Sequence, residues 1–163
     1  MQSKKHYCVD VAGAEKQVHL RCAELTDVEY LRLLKNAHRQ FFFYNHEITT
    51  EQQEAWYSAY HERQDDFMFI VWLRDIRIGC MGIRLLDKKW DVYNVILGNN
   101  EFKGAGIMGR SFQAMLSFAR GRRSSPIGLS VLKNNPAIWW YKKNGFKIDS
   151  ETPDYFEMSF NQS

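Results

Sequence analysis

The residues of this 163-residue chain best placed to do chemistry include a cluster of glycines. The segment Leu97-Gly-Asn-Asn-Glu-Phe-Lys103-Gly104-Ala105-Gly106-Ile107-Met108-Gly109 separates a run with strand character from a run with helical period. Glycine at 104 and 106 permits backbone conformations that side chains resist, and lets a ligand approach the main chain closely. The unpaired N–H groups at a helix start, aided by the helix dipole, form a phosphate site. The loop therefore suits a phosphate-bearing ligand; the alternative is a tight turn that merely needs glycine. A Walker A loop is excluded, since no lysine follows the last glycine. The pattern GxGxxG matches literally at 104, 106 and 109, but no acidic residue for a ribose occurs before Asp149. A nicotinamide enzyme is thus a runner-up.

A second constellation is Leu129-Ser-Val-Leu-Lys-Asn134-Asn-Pro-Ala137-Ile-Trp-Trp-Tyr141-Lys-Lys-Asn-Gly145-Phe146. It reads as a buried strand over 126–132, a helix opened by Asn134 with Pro136 in its first turn, and a glycine cap at 145. Seven residues are about two helical turns, so Asn134 and Tyr141 are expected near one face, about 10 Å apart along the axis. A phenol with a pKa near 10 can give a proton to a group of similar basicity; the alternative is a core tyrosine. Asn134 could equally be a helix cap. For a general base the chain offers Asp91 and, nearby, Tyr93 on the strand before the glycine loop, and His46 and Glu47 on an aromatic connector. None stands out, and a water relay is an alternative.

Around these residues the pattern predicts β-α-α-β-β-β-α-β-α-β-β. Val18–Ala23 is a strand. Thr26-x-x-Glu29 reads as a capping box before a helix bearing Val28, Leu31, Leu34 and His38. Phe41–Asn45 connects to a second box, Thr49-x-x-Gln52, opening a helix with Ala55, Trp56, Ala59 and Tyr60 on one face. Three strands follow, Phe67–Leu73, Ile76–Leu86 and Trp90–Leu97. After the glycine loop comes a helix to Arg120 with Met108, Phe112, Met115, Leu116 and Ala119 as its stripe. Strands at Phe146–Asp149 and Tyr155–Phe160 end the chain.

Length and composition suit one domain over 1–163, with 1–16 an N-terminal extension and an extra strand there an option. Apolar residues are 45% and aromatics 15%, which excludes disorder. The longest apolar run, Phe67–Leu73, is far short of the ~20 residues of a membrane helix. No apolar stretch follows the N-terminal Met1-Gln-Ser-Lys-Lys-His, so no secretory signal is expected. Three cysteines without CxxC pairing argue against a disulfide framework or a metal site and make the cytoplasm the expected location. Net charge is +3, but Phe102–Ile148 holds nine cations and no acid, leaving −6 elsewhere. That segregation suits a polyanionic ligand; the alternatives are a solvated basic surface or, from Arg120-Gly-Arg-Arg123, a nucleic-acid binder, although a four-residue run is more often a solvated helix end and no nucleic-acid partner is expected.

The two constellations, in this order and spacing, resemble the GNAT superfamily of N-acetyltransferases over about Val18 to Ile148. Lys103-Gly104-Ala105-Gly106-Ile107-Met108 is similar to the family's [QR]-x-x-G-x-[GA] loop, with lysine in place of Gln/Arg and Met108 in place of the small residue. The segment from Leu129 to Phe146 is similar to the family's strand, N-x-x-A-x-x-x-Y and G-F. The resemblance implies a GNAT fold: a mixed α/β sheet with an antiparallel N-terminal meander and a splayed strand–loop–helix site for acetyl-CoA as co-substrate. It implies that Val95, Ile96 and Leu97 offer backbone amides, that Lys103 to Gly109 hold the pyrophosphate, that Asn134 and Ala137 hold the pantetheine arm, and that Tyr141 protonates the departing thiolate. Asn36-x-x-Arg39, His46-x-Ile-Thr and Trp56 look like the acceptor side of two branches, one acting on nucleotide-linked amino sugars and one on ribosomal-protein N-termini. This makes His46, Glu47, Trp56 and Tyr93 candidate contacts to a small-molecule amine, with the sugar slightly ahead. A non-catalytic acyl-CoA-binding module is the alternative outside enzymes. Neither a metal nor a membrane is implied, and a homodimer stays open.

Overall fold

The run Phe67–Leu73 is apolar on both faces because both faces are covered. In the computed structural model, which describes residues 7–11 and 17–161, it forms most of strand β3 (Asp66–Leu73). Phe67, Phe69, Val71 and Leu73 point into one buried cluster, Met68 and Ile70 into another. The period of two that alternates side chains across a strand thus builds two cores from one segment. The first core is closed by α3 (Ile107–Arg122) and α4 (Ile138–Lys143), the second by α1 (Val28–Ala37) and α2 (Thr50–Glu62).

β1 (Cys8–Asp10), β2 (Val18–Cys22), β3, β4 (Ile76–Leu86) and β5 (Lys89–Leu97) form an antiparallel meander. The chain then crosses through α3 to β6 (Ile127–Leu132), parallel to β5, and ends with β7 (Phe146–Glu151) and β8 (Tyr155–Phe160). The eight-stranded order is β1-β2-β3-β4-β5-β6-β8-β7. The mixed α/β architecture expected from the pattern is therefore present. Of the 1–16 extension, residues 1–6 and 12–16 lie outside the described residues. Among the described residues no helix is long and apolar enough to cross a membrane, and no cluster of metal-ligating side chains is found.

Four local expectations need correction. The N-terminal box is made by Glu24 and Asp27, not Thr26 and Glu29. It opens a short 3-10 turn, Leu25–Asp27, that runs into α1. Asp27 is fully buried and held by Arg77 Nε at 2.8 Å, which fixes the turn two residues early. On α2 the buried positions are Gln53 and Tyr60, with Trp56 half-buried between them, while Ala55 and Ala59 face solvent. Bulk decided this face: Trp56 and Tyr60 stack at 4.9 Å. The box Thr49–Gln52 is present as expected. Asn134 and Pro136 precede α4 rather than lying in it, because Asn135 Oδ1 accepts the Ala137 N–H at 2.9 Å and holds the chain in a turn until Ile138. Last, the acidic pair Asp65–Asp66, which reads as the stop signal of the second helix, does not close α2: Asp66 begins β3.

Candidate active-site cleft

Two backbone features open the sheet. β5 and β6 pair only at Trp90↔Ile127 and Asp91↔Gly128. Beyond Asp91 the two strands diverge, so the β6-facing edge of β5 has no strand partner. β5 also carries a bulge: Cys80 pairs with Ile96 but Gly82 pairs with Tyr93, leaving two residues of β5 opposite Met81. Asn94, at the bulge, takes φ +49°, a left-handed conformation in a non-glycine residue that its surroundings must hold. The bulge puts Tyr93 and Ile96 against the α1–α2 core, and Val92 and Val95 against the α3–α4 core. A bulge beside a splay is how a strand re-aims its groups toward a site.

The gap is the floor of a cleft of about 890 Å³. Asp91, Tyr93, Asn94 and Ile96 line it from β5, Leu129 to Leu132 from β6, and Trp56 from α2. Tyr141 packs in the α3–α4 core yet also lines this cleft, since the gap lets it through the sheet plane. Burial, with a smaller contribution from nearby Cys80, pushes its phenol well above the usual range, so it carries its proton at neutral pH. Cys80, buried beneath, is pushed up to about 12 by desolvation and donates to the Asn94 carbonyl at 3.3 Å. Asp91 bonds Arg84 Nε at 3.1 Å, but burial outweighs that cation and raises its carboxyl. The Tyr93 hydroxyl donates to the carboxylate of buried Asp66, and burial together with that carboxylate raises the Tyr93 phenol well above its usual range.

The glycine loop lies outside the lining of this cleft. Gly104 and Gly106 take φ +82° and +77°, and nothing lies within 4 Å of where a Cβ would stand. Gly106 is the N-cap of α3. Arg110 N donates to the Gly106 carbonyl at 3.1 Å, so the N–H groups of Ile107, Met108 and Gly109 are the unpaired first turn. Left-handed glycines before a helix with open space above them fit a pyrophosphate. Gly109 and Met108 have packing reasons as well: a Cβ at 109 would stand 3.3 Å from Asn144 Oδ1, and the Met108 methyl is 3.3 Å from a Cβ placed at Gly79.

The expected site residues are therefore partly gathered. Asp91, Tyr93, Ile96, Trp56 and Tyr141 meet in the cleft, whereas Val95, Leu97, Asn134, Ala137, His46 and Glu47 do not line it. Asn134 Nδ2 donates to the Gln40 carbonyl at 2.9 Å, tying the turn before α4 to the α1–α2 connector. Its neighbour Asn135 lines the cleft instead. His46 and Glu47 are exposed, with Glu47 3.9 Å from Arg39. Sequence reasoning missed Lys35, Cys80, Arg84 and Asn94. Lys35 had a signal: it lies four residues after Leu31 on the apolar stripe of α1, where a lysine is out of place.

The basic segment is less free than its sequence suggests. Arg122 and Arg123 reach Asp65 at 2.8 and 3.5 Å, Lys133 reaches Glu151 at 2.6 Å, and Arg120 stacks on Phe160. Much of the Arg120–Arg123 run is thus engaged within the protein.

A family model described as an acetyltransferase (GNAT) domain matches residues 17–147. Among solved structures, a spermidine N-acetyltransferase from Vibrio cholerae in complex with CoA and spermine is 19% identical, with a TM-score of 0.74 over 88% of this chain and 94% of that one. An acetyltransferase from Salmonella typhimurium that modifies the N-terminal serine of ribosomal protein L7/L12 is 18% identical, with a TM-score of 0.72 over 94% and 96%. A nucleotide-linked sugar GNAT is 18% identical, with a TM-score of 0.72 over 96% and 89%. No curated protein matches the chain.

Proposed function

The chain belongs to the GNAT acetyltransferase family, and from that premise we propose that it transfers the acetyl group of acetyl-CoA to the primary amine of a nucleotide-linked amino sugar. The observation that carries this reading is the β5–β6 splay, with the Asn94 bulge on one side and the Tyr141 phenol reaching through the gap. Three solved relatives in the same fold, by their own descriptions, act on a polyamine, a protein N-terminus or a nucleotide-linked sugar. The aromatic rim of this cleft, Phe41 to Tyr44 with Trp56 and Tyr155, favours a flat ring or sugar face.

When bound, acetyl-CoA supplies an acetyl thioester. The chain's own groups account for the rest. The N–H groups of the first turn of α3, with Gly104 and Gly106, bind the pyrophosphate, and Lys103 and Arg110 add charge. The freed edge of β5 at Val95 to Leu97 orients the pantetheine amides. Backbone donors at the bulge are set in advance for developing negative charge. Tyr141 holds a proton on its phenol oxygen for the departing sulfur. Asp91, which lines the cleft and whose proton affinity is raised by burial, takes a proton from the amine, a role that Glu47, outside the lining, is not placed to share. Trp56 packs against the acceptor.

The test follows release of the coenzyme A thiol with three acceptors: a uridine-diphosphate-linked amino sugar, a peptide with N-terminal serine, and spermidine. The proposal expects the highest kcat/KM for the sugar. Faster turnover of the peptide selects the N-terminal acetyltransferase. Tight acetyl-CoA binding without thiol release from any amine selects the non-catalytic acyl-CoA-binding module.

A further inference from the structure

Lys35 is a cation set into the wall of this cleft with no anion among the described residues to meet it. It lies on the inner face of α1 between Leu31 and the end of the helix. Its Nζ donates to Asn94 Oδ1 at 2.6 Å and stands 3.7 Å from the centre of the Phe42 ring. The ionisable groups that act on it are Cys80 and Arg84, both of β4. Cys80 keeps its proton. Arg84 is a second cation, already matched by Asp91 at 3.1 Å. No carboxylate among the described residues lies within ion-pair distance of Lys35.

Burying a charge is costly unless an opposite charge and hydrogen bonds compensate it. An ammonium has three donors, and Asn94 takes one. The aromatic face of Phe42 attracts the cation but does not neutralise it. Desolvation is felt accordingly, since burial brings the Lys35 pKa down to about 8. A ligand oxyanion arriving in the cleft would restore what burial removed. The phosphates of coenzyme A are poor candidates, because no residue from Lys103 to Gly109 lines this cleft.

Resting on the acetyl-transfer reading above, we propose that the acceptor carries an anionic group, carboxylate or phosphate, and that Lys35 receives it in the α1 half of the cleft. The chemistry shared by both sources is a desolvated oxyanion meeting an ammonium. A polycation such as spermidine is then rejected by the same charge, although a structural relative was solved with spermine. Lys35 becomes a specificity-determining residue, reading the acceptor, while Tyr141 serves the thioester.

Titration calorimetry on the intact chain saturated with coenzyme A tests this with two matched pairs and one polycation. Uridine diphosphate against uridine probes the nucleotide source, glycylglycine against glycylglycinamide the carboxylate source, and spermidine the opposite charge. The anionic member of at least one pair is expected to bind about tenfold more tightly than its neutral partner, the size of a charge-assisted hydrogen bond. Lys35→Met should erase that preference, Lys35→Arg should keep most of it, and acetyl-CoA affinity should be unchanged in both variants, which also shows that they are folded. The proposal is overturned if neither anion outbinds its neutral partner, if the preference survives Lys35→Met, or if spermidine binds best. Failure of coenzyme A to bind the wild-type protein would remove the acetyl-transfer reading and this inference together, whereas coenzyme A binding without an anion preference removes only the inference.

Discussion

The loop into α3 and the α1 wall of the cleft are both suited to negative charge, and they are built by opposite means. The loop uses main chain: two left-handed glycines and the unpaired N–H groups of a helix start. The α1 wall uses one side chain, Lys35, held by Asn94 and Phe42 from segments far away in sequence. A main-chain site tolerates changes of surface charge but not of backbone freedom. A side-chain site is the reverse: it is lost with one functional group and titrates with pH. Between them stands Tyr141, whose proposed role requires both ends to present their ligands to the same gap.

The largest effect is expected where the two ends meet. Tyr141→Phe keeps the ring and its packing against Phe112 and Phe146, and removes only the hydroxyl. Loss of a general acid costs on the order of 10²–10⁴ in rate, so kcat measured with chemistry rate-limiting should fall by that much while the KM for acetyl-CoA stays level. Retention of about half the activity or more would make Tyr141 a packing residue.

Next comes the main-chain site. Gly106→Val places a branched side chain at φ +77°, a conformation costing L-residues roughly 1–2 kcal/mol, and turns its bulk toward the ligand. Calorimetry should show acetyl-CoA binding weakened about tenfold or more, with the circular dichroism spectrum intact, because nothing stands near the new Cβ. Wild-type affinity would take the loop out of the site and end the comparison.

The side-chain site should answer to pH where the loop does not. Lys35 faces Cys80 and Arg84 of β4, Asn94 of β5 and the Phe42 ring, with Asp91 behind Arg84. Its folded pKa, lowered to about 8, puts the loss of charge at mildly alkaline pH. Anionic-acceptor affinity should therefore hold below pH 8 and fall about tenfold between pH 7 and 9, as the ammonium deprotonates, while acetyl-CoA affinity changes little. The sign for stability is opposite. Lys35 binds its proton less readily folded than unfolded, so its destabilising share is fully present below its folded pKa and is relieved as pH rises above it.

The smallest effects sharpen the boundary of the acceptor side. His46→Ala and Glu47→Ala should change the acceptor KM by less than about twofold, as exposed residues with weak partners do. Trp56→Ala should raise that KM by more than either, because Trp56 lines the cleft and stacks on Tyr60. A larger shift from Glu47→Ala would bring the connector back into the acceptor site.

The sequence made one of these regions legible and hid the other, for a physical reason. Gly104, Gly106 and the helix after them act through local backbone, and local backbone is written in neighbouring residues. The meander was readable from period-two patterning and turn residues, and Thr49–Gln52 from the reciprocal bonds it makes within one helical turn. The Lys35–Asn94 pair spans 59 residues, and the Asn94 bulge depends on how β4 and β5 register, so no local pattern carries either. Asn134 shows the intermediate case. Its neighbours do signal a turn and a helix start, but an Asx turn at Asn135 delays the helix and aims Asn134 at Gln40. The apparent surplus of positive charge after Phe102 misled for the same reason, since Asp65 and Glu151, which match part of it, lie outside that stretch.

Whether one ligand runs from the glycines of the α3 loop to the Tyr141 phenol is tested by a crystal structure of the protein with coenzyme A. Pyrophosphate oxygens are expected on the N–H groups between Gly104 and Gly109, the pantetheine along the freed edge of β5, and the sulfur within hydrogen-bond reach of the Tyr141 hydroxyl. Coenzyme A bound away from that loop, or with its sulfur directed away from the β5–β6 gap, would contradict that expectation.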